Sequence, residues 1–247
     1  MNTLTVLWLR QLKKYFRSKA RIIGSIGQPL LFLVALGFGF GPIFSKAGGG
    51  NYLDFLVPGI VAMTILFTAI FSGIEIIWDR QFGFLKETLV APVSRYEIMV
   101  GRTLGGATIA VLQGALVFVI SLFLGFTPNL MMLPLAIVFA GLIALFFTAL
   151  GTAIASLLDD MQGFQLIMNF LVMPTFFLSG ALFPLTGLPS FISVIAQINP
   201  LSYGVDGLRG TLANATQFGL PMDFAVLGIL TVAVMGIGSY LFSKIQV

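Results

Sequence analysis

Six long apolar stretches separated by short polar breaks organise this chain. About 20 apolar residues cross a bilayer as a helix, and residues 22–44, 56–78, 103–126, 133–158, 163–183 and 224–242 each meet that length. Only one of the six contains a charge, Glu75 near the end of the second. The uncharged run from Thr103 to Leu158 is too long for one span and is divided at Thr127-Pro128-Asn129, a helix-ending Pro followed by a turn residue. Residues 184–205 are uncharged as well, but Pro184, Pro189 and Pro200 cut them into pieces too short to cross. They predict a re-entrant segment between the fifth and sixth spans, packed on protein or facing a water-filled cavity. Residues 1–21 have a different period: Leu4, Trp8, Leu12 and Tyr15 share one helical face, with Arg10, Lys13, Lys14 and Arg17 opposite. That is an amphipathic basic helix for the membrane interface.

The fold class predicted is therefore an all-α integral membrane protein with six transmembrane helices, forming a single domain over residues 1–247. Composition agrees: 58% of residues are hydrophobic, the mean hydropathy is +1.04, and 9% are charged, against about 25% in soluble domains. With both termini cytoplasmic, Arg10, Lys13, Lys14, Arg17, Lys19, Arg21, Arg80, Lys86, Arg95, Arg102 and Lys244 lie inside, and only Lys46 and Arg209 outside. This positive-inside bias fixes the orientation in the cell (plasma or inner) membrane. The same distribution reads as topology and not as nucleic-acid binding, despite a pI near 9.6. The N-terminus lacks the pattern of a cleaved signal peptide. Cys and His are absent, so disulfides and zinc sites of the usual type are excluded and no metal is expected.

The charges that remain cluster at DRQFGFLKETLVAPVSR, residues 79–95, between spans two and three. Asp79, Arg80, Lys86, Glu87 and Arg95 surround Phe82, Phe84, Leu85, Leu89 and Val90. Apolar knobs ringed by charges of both signs have the character of a docking patch. Pro92 stops the short helix this loop can make, and Ser94 with Glu97 forms a capping box that starts the next helix at Arg95. Glu75 can pair with Arg80 or with Arg102, a structural ion pair one turn from the cytoplasmic end. Asp159-Asp160 either caps the fifth span or makes a second contact with a partner. Asp206 and Arg209, three apart, can pair on one helix face. Aromatic and sparse polar residues in spans two and five, Thr64, Phe67, Thr68, Phe71, Asn169, Phe170, Phe176 and Phe177, suit a path for an amphipathic cargo. Asn169, an amide inside the membrane, needs a partner or a cavity.

The loop resembles the cytoplasmic loop of ABC-2-type permeases, the membrane subunits of certain ATP-binding-cassette exporters. YLDFLVPGIVAM (52–63), FFLSGALFPLTGLP (176–189) and INPLSYGVDGLRG (198–210) resemble the same family in the same order, most nearly its drug-resistance, daunorubicin-exporter-like branch. The resemblance implies that the loop is a coupling helix seated on an ATPase subunit, with Asp79, Arg80, Phe82, Gly83, Phe84, Leu85, Lys86, Glu87 and Thr88 as the contact. Gln81 stands where family members often carry Glu. It also implies two permeases, a homodimer of this chain or a heterodimer with a second permease, together with two ATPase subunits and a path between the permeases lined by spans two and five. The chain has no GxxxxGK[ST] stretch, so ATP and Mg²⁺ belong to the partner and the chain binds no cofactor. The expected role is outward movement of a drug, lipid or glycolipid by alternating access. An ion-coupled secondary transporter and a non-transport membrane scaffold are the competing classes; the first needs ionisable midplane sites, and the only acid within a span is peripheral.

Overall fold

The computed structural model describes residues 3–46, 51–84, 93–185, 187 and 189–244. Among them the regular structure is all helical. The order is α1 (Thr3–Arg17), α2 (Lys19–Lys46), α3 (Tyr52–Phe71), α4 (Ile74–Gln81), α5 (Arg95–Phe123), a 3₁₀ turn (Leu130–Met132), α6 (Leu133–Leu157), α7 (Met161–Phe177), α8 (Ser190–Ile198), α9 (Pro200–Ala213) and α10 (Leu220–Ser243).

Local chemistry sets the boundaries. Ser94 accepts a hydrogen bond from the Glu97 N–H (3.2 Å) and starts α5 at Arg95, as the capping box predicts. Asn129 accepts from the Met131 N–H (3.1 Å) in the break after α5. Asp160 caps α7 through the Gly163 N–H (2.6 Å). Pro200 opens α9 at a position where its missing N–H costs nothing, and Asn214, in the left-handed region at φ 54°, ends it.

Among the described residues, five segments are long and apolar enough to cross a membrane: Ile22–Phe44, Tyr52–Gln81, Arg95–Phe123, Leu130–Leu157 and Leu220–Ser243. The fifth span expected from the sequence, 163–183, is helical only as far as Phe177. Its 17 residues rise about 26 Å, slightly less than the roughly 30 Å hydrocarbon core. The chain then turns through Gly180, whose φ of 76° favours glycine.

The core is built around α3, which is buried from Leu56 to Leu66 without interruption. It packs against α2, α5, α6 and α9, while α10 lies along α6. Two crossings bring backbone onto backbone. A Cβ at Gly59 would overlap the Ala181 carbonyl, and one at Gly73 would overlap the carbonyl of Gly151 on α6. Gly73 sits at the break between α3 and α4.

The amphipathic first helix, expected in the interface, is docked lengthwise on α5. Leu7 lies against Gly101, Gln11 against Gly105, Trp8 Nε1 donates to Thr108 Oγ1 (3.0 Å), and Gln113 Nε2 donates to the Tyr15 hydroxyl (2.6 Å). The two helices therefore run in the same direction for about three turns. Gly101 and Gly105 make the close approach possible, and Arg10, Lys13, Lys14 and Arg17 remain exposed on the far face. Arg95 Nη1 donates to the Ser243 carbonyl (2.6 Å), so the end of α10 meets the start of α5. The described N-terminal and C-terminal segments thus share the charged end of the bundle.

Asp206 and Arg209 on α9 do not form the pair expected from their spacing. The Asp206 carboxylate accepts from the backbone N–H groups of Gln217 (2.8 Å) and Phe218 (2.7 Å), which closes the turn after α9. Arg209 points elsewhere. It donates to the carbonyls of Gly180 (2.9 Å) and Phe55 (3.2 Å) and lies 3.9 Å over the Phe55 ring. Backbone N–H donors for Asp206, and backbone carbonyls with a ring face for Arg209, give these two side chains more contacts than a single bond across one turn.

Candidate functional site

The charged end of the bundle is where side-chain chemistry concentrates. α5 has 29 residues, about 43 Å at 1.5 Å per residue, so its first turns extend past a 30 Å hydrocarbon layer. α4 extends beside them, and among the described residues three ion pairs tie this projection together. Arg102 of α5 pairs with Asp79 of α4, both buried. Arg80 pairs with Asp159 in the turn between α6 and α7, and also donates to the Leu158 carbonyl (3.1 Å). Lys14 of α1 reaches Glu75 of α4 with Nζ 3.5 Å from Oε2.

These pairs revise the sequence expectations residue by residue. Glu75 pairs with Lys14. Arg80 and Arg102, its two sequence candidates, are committed to Asp159 and Asp79. The sequence also groups Asp79 and Arg80 with a partner contact. Asp79 is only 7% exposed and lies on the helix, not in the loop. A carboxylate buried against a guanidinium is held by its own chain, since separating the pair would leave a buried charge unpaired. The Asp159-Asp160 turn divides its work: Asp160 caps α7 and Asp159 receives Arg80.

Beyond this braced base the surface becomes aromatic. Phe82 is 62% exposed and Phe84 51%. Gly83 between them takes φ 78°, a turn that glycine adopts freely. Trp78, one turn back, is half exposed, with its ring centroid 5.5 Å from that of Phe82. Sequence reasoning missed Trp78 because it counts as the last apolar residue of a span. Its spacing of four from Phe82 is the available signal. Leu85, Lys86, Glu87 and Thr88 lie outside the described residues.

The eight candidate path residues separate into groups. Phe67 and Phe71 of α3 pack edge-on against Phe176 and Phe164 of α7, at 6.2 and 6.4 Å between centroids. Phe176 is buried in this contact. Phe177 is partly open, and Phe170, 81% exposed, lies on the opposite side of α7, with Asn169 exposed at its flank. Thr64 is buried and donates to its own helix at the Ile60 carbonyl (2.8 Å). Thr68 Oγ1 donates to Gln113 Oε1 (3.1 Å). Gln113 also donates to Tyr15 and Ser25, so one amide joins α1, α2, α3 and α5. It is the only Gln between Thr103 and Leu158, and an amide inside an uncharged run is the signal that could have revealed it. Among the described residues no cluster of three or more acidic side chains is placed to hold a metal ion.

Known proteins with similar sequences identify the family. Residues 2–213 match the ABC-2 type transporter family. Nodulation protein J of Rhizobium leguminosarum bv. trifolii is 32% identical over 192 residues, covering 77% of this chain and 73% of that protein. The ycf38 protein of Cyanophora paradoxa is 32% identical over 217 residues, covering 85% and 73%. The inner membrane transport permease YadH of Escherichia coli (strain K12) is 26% identical over 233 residues, covering 92% and 89%. With its membrane-length helices and a match over most of its length, this multi-pass membrane protein belongs to the ABC-2 type transporter family.

Proposed function

We propose that this chain is the membrane-spanning subunit of an ATP-driven exporter. It moves an amphipathic or lipid-like substrate outward by alternating access, and separate ATPase subunits drive it through the end of α4 and the loop that follows. ABC-2 permeases generally pair with such a subunit. The observation that carries the reading is the pairing of a braced base with an open aromatic tip. Asp79–Arg102, Arg80–Asp159 and Lys14–Glu75 fix α4 to α5, α1 and the α6–α7 turn, while Trp78 and Phe82 beyond them are exposed. A tip meant to receive force must be rigid behind and adhesive in front. Large aromatic side chains rimmed by charge supply the adhesion.

In this reading the tip is cytoplasmic and two copies of the chain form a homodimer. Each copy seats on one of two ATPase subunits, which bind ATP and Mg²⁺. The chain carries no ATPase chemistry of its own. The cargo path runs between the copies, beside the open face of α7 that carries Asn169, Phe170 and Phe177. ATP-driven closure of the ATPase pair presses on both tips.

The chain has no Cys, so a single Phe84→Cys substitution gives a unique crosslinking site. Purified from its host in mild detergent and crosslinked, this variant is expected to carry a cassette ATPase subunit on residue 84. Free labelling of that residue by a water-soluble reagent, with no ATPase recovered, overturns the reading.

A further inference from the structure

A second opening lies away from the aromatic tip, between α2 and α3. It is a cleft of about 220 Å³, with Gly24, Ser25 and Gln28 on one wall, Thr64 and Thr68 on the other, and Gln113 at the back. Pro29, Met63, Phe67 and Phe71 complete the lining. Its depth follows from helix geometry. Thr68 is sixteen residues below Tyr52, about 24 Å along α3, which places the cleft near the charged end of a 30 Å core.

The hydrogen-bond inventory of this cleft is lopsided. Thr64 uses its proton on the Ile60 carbonyl, Ser25 on the Ile22 carbonyl (2.9 Å), and Thr68 on Gln113. Gln113 uses its N–H groups on Tyr15 and Ser25. What these groups have left is oxygen lone pairs. Pro29, also in the lining, lacks the N–H that would bond the Ser25 carbonyl in a regular helix. The donors left over belong to Gln28, whose amide has no hydrogen-bond partner among the described residues. One turn below it, Gly24 leaves room: a Cβ there would meet nothing within 4 Å. An amide facing lipid without a partner is unfavourable, so this arrangement calls for an occupant.

We propose that the α2–α3 cleft binds the uncharged, hydroxyl-bearing head group of an amphiphile from the adjoining leaflet. Hydroxyls donate to the spare oxygens and accept from Gln28. A phosphate or carboxylate brings further acceptors to a wall of acceptors, and an ammonium finds no charged residue among the lining to offset its desolvation. The size fits this assignment. The cleft is smaller than the roughly 300–1,000 Å³ that encloses a whole drug-sized ligand, so a head group enters and its tails stay in the bilayer. As a binding site the cleft stands independently; its extension to cargo rests on the exporter reading above.

The test is photolabelling of the intact protein in lipid nanodiscs. One probe is a diacylglycerol with a diazirine near the glycerol end of one chain, and the other is phosphatidic acid with the same chains and label. Labelled peptides are mapped by mass spectrometry. Diacylglycerol is expected to label residues 24–29 and 63–71 about fivefold more than phosphatidic acid, the difference that one or two hydrogen bonds make. Gly24→Leu, which fills open space, and Gln28→Leu, which removes the free amide, are expected to bring that labelling down to the level of other lipid-facing segments. Equal labelling by the two lipids, preference for phosphatidic acid, or indifference to both substitutions overturns the proposal. In native membranes containing the partner, ATP with Mg²⁺ is expected to lower the labelling if the occupant is cargo; unchanged labelling assigns it to resident lipid and overturns the extension alone. Retained labelling without an ATPase crosslink at residue 84 refutes the coupling reading and leaves the cleft standing.

Discussion

α3 and α7 touch through two pairs of phenylalanines, Phe67 with Phe176 and Phe71 with Phe164, yet their surroundings differ sharply. α3 is enclosed by protein over most of its length. α7 buries a single stripe, Phe164, Met168, Val172 and Phe176, and leaves the rest of its surface open. Exposure of apolar residues alone says little here, because lipid tails solvate Phe170 as well as protein does. The amides distinguish α7. Gln162, Gln165 and Asn169 are all exposed, on adjoining positions at about 100° per residue, and lipid tails offer them no hydrogen bonds. α3 is specified by shape, whereas α7 is specified by polarity and needs water or a second protein surface beside it.

This contrast can be tested by substitution, beginning with the largest effect. Gly59→Val puts side-chain atoms where the Ala181 carbonyl already lies. Loss of folded protein in detergent, measured by size-exclusion chromatography, is the expected outcome. A matching change at Gly141, where a Cβ meets nothing, should leave the yield unchanged. Next, Phe176→Ala is expected to cost about 3 kcal/mol in reversible SDS unfolding, because it opens a cavity between α3 and α7. Phe170→Ala, from the open side of the same helix, should cost less than about 0.5 kcal/mol. If the two cost the same, the two faces of α7 are not distinct.

The charged end repeats the comparison in electrostatic form. Asp79→Ala strands a buried guanidinium and is expected to cost about 3–5 kcal/mol. Asp159→Ala, whose side chain is 89% exposed, should cost about 0–1 kcal/mol in the same assay. Ser94→Ala removes one cap from α5 and should cost about 1 kcal/mol. Raised amide exchange limited to the first turn of α5 is the companion result.

Much of this was legible in the sequence because it is encoded locally. Ser94 with Glu97, Asp160 before α7, and Pro128-Asn129 after α5 each act within four residues, and they fall where the chain predicted breaks and caps. Apolar length identified the membrane helices for the same reason. The end of α7 at Phe177 was not legible, since residues 178–183 stay largely apolar while Gly180 turns the chain away. The charge pairs were harder still. Lys14 meets Glu75 and Arg80 meets Asp159 across separations of 61 and 79 residues, and helical spacing carries no information at that range. Arg209 shows the limit most plainly: a neighbour three residues away was available, and the guanidinium went instead to two backbone carbonyls and a ring.

The contact between Gly73 and Gly151 gives the second membrane segment a fulcrum. On one side lies a short arm, the eight residues of α4, about 12 Å long. On the other lies a long arm, the twenty residues of α3, about 30 Å long. With no side chains between the two backbones, the bearing is hard and narrow. Were the two arms to move as one body about that contact, each ångström of travel at Gln81 would become about 2.5 Å at Tyr52. The leverage favours displacement over force, so in the exporter reading proposed above a small stroke at one membrane face would part helices at the other.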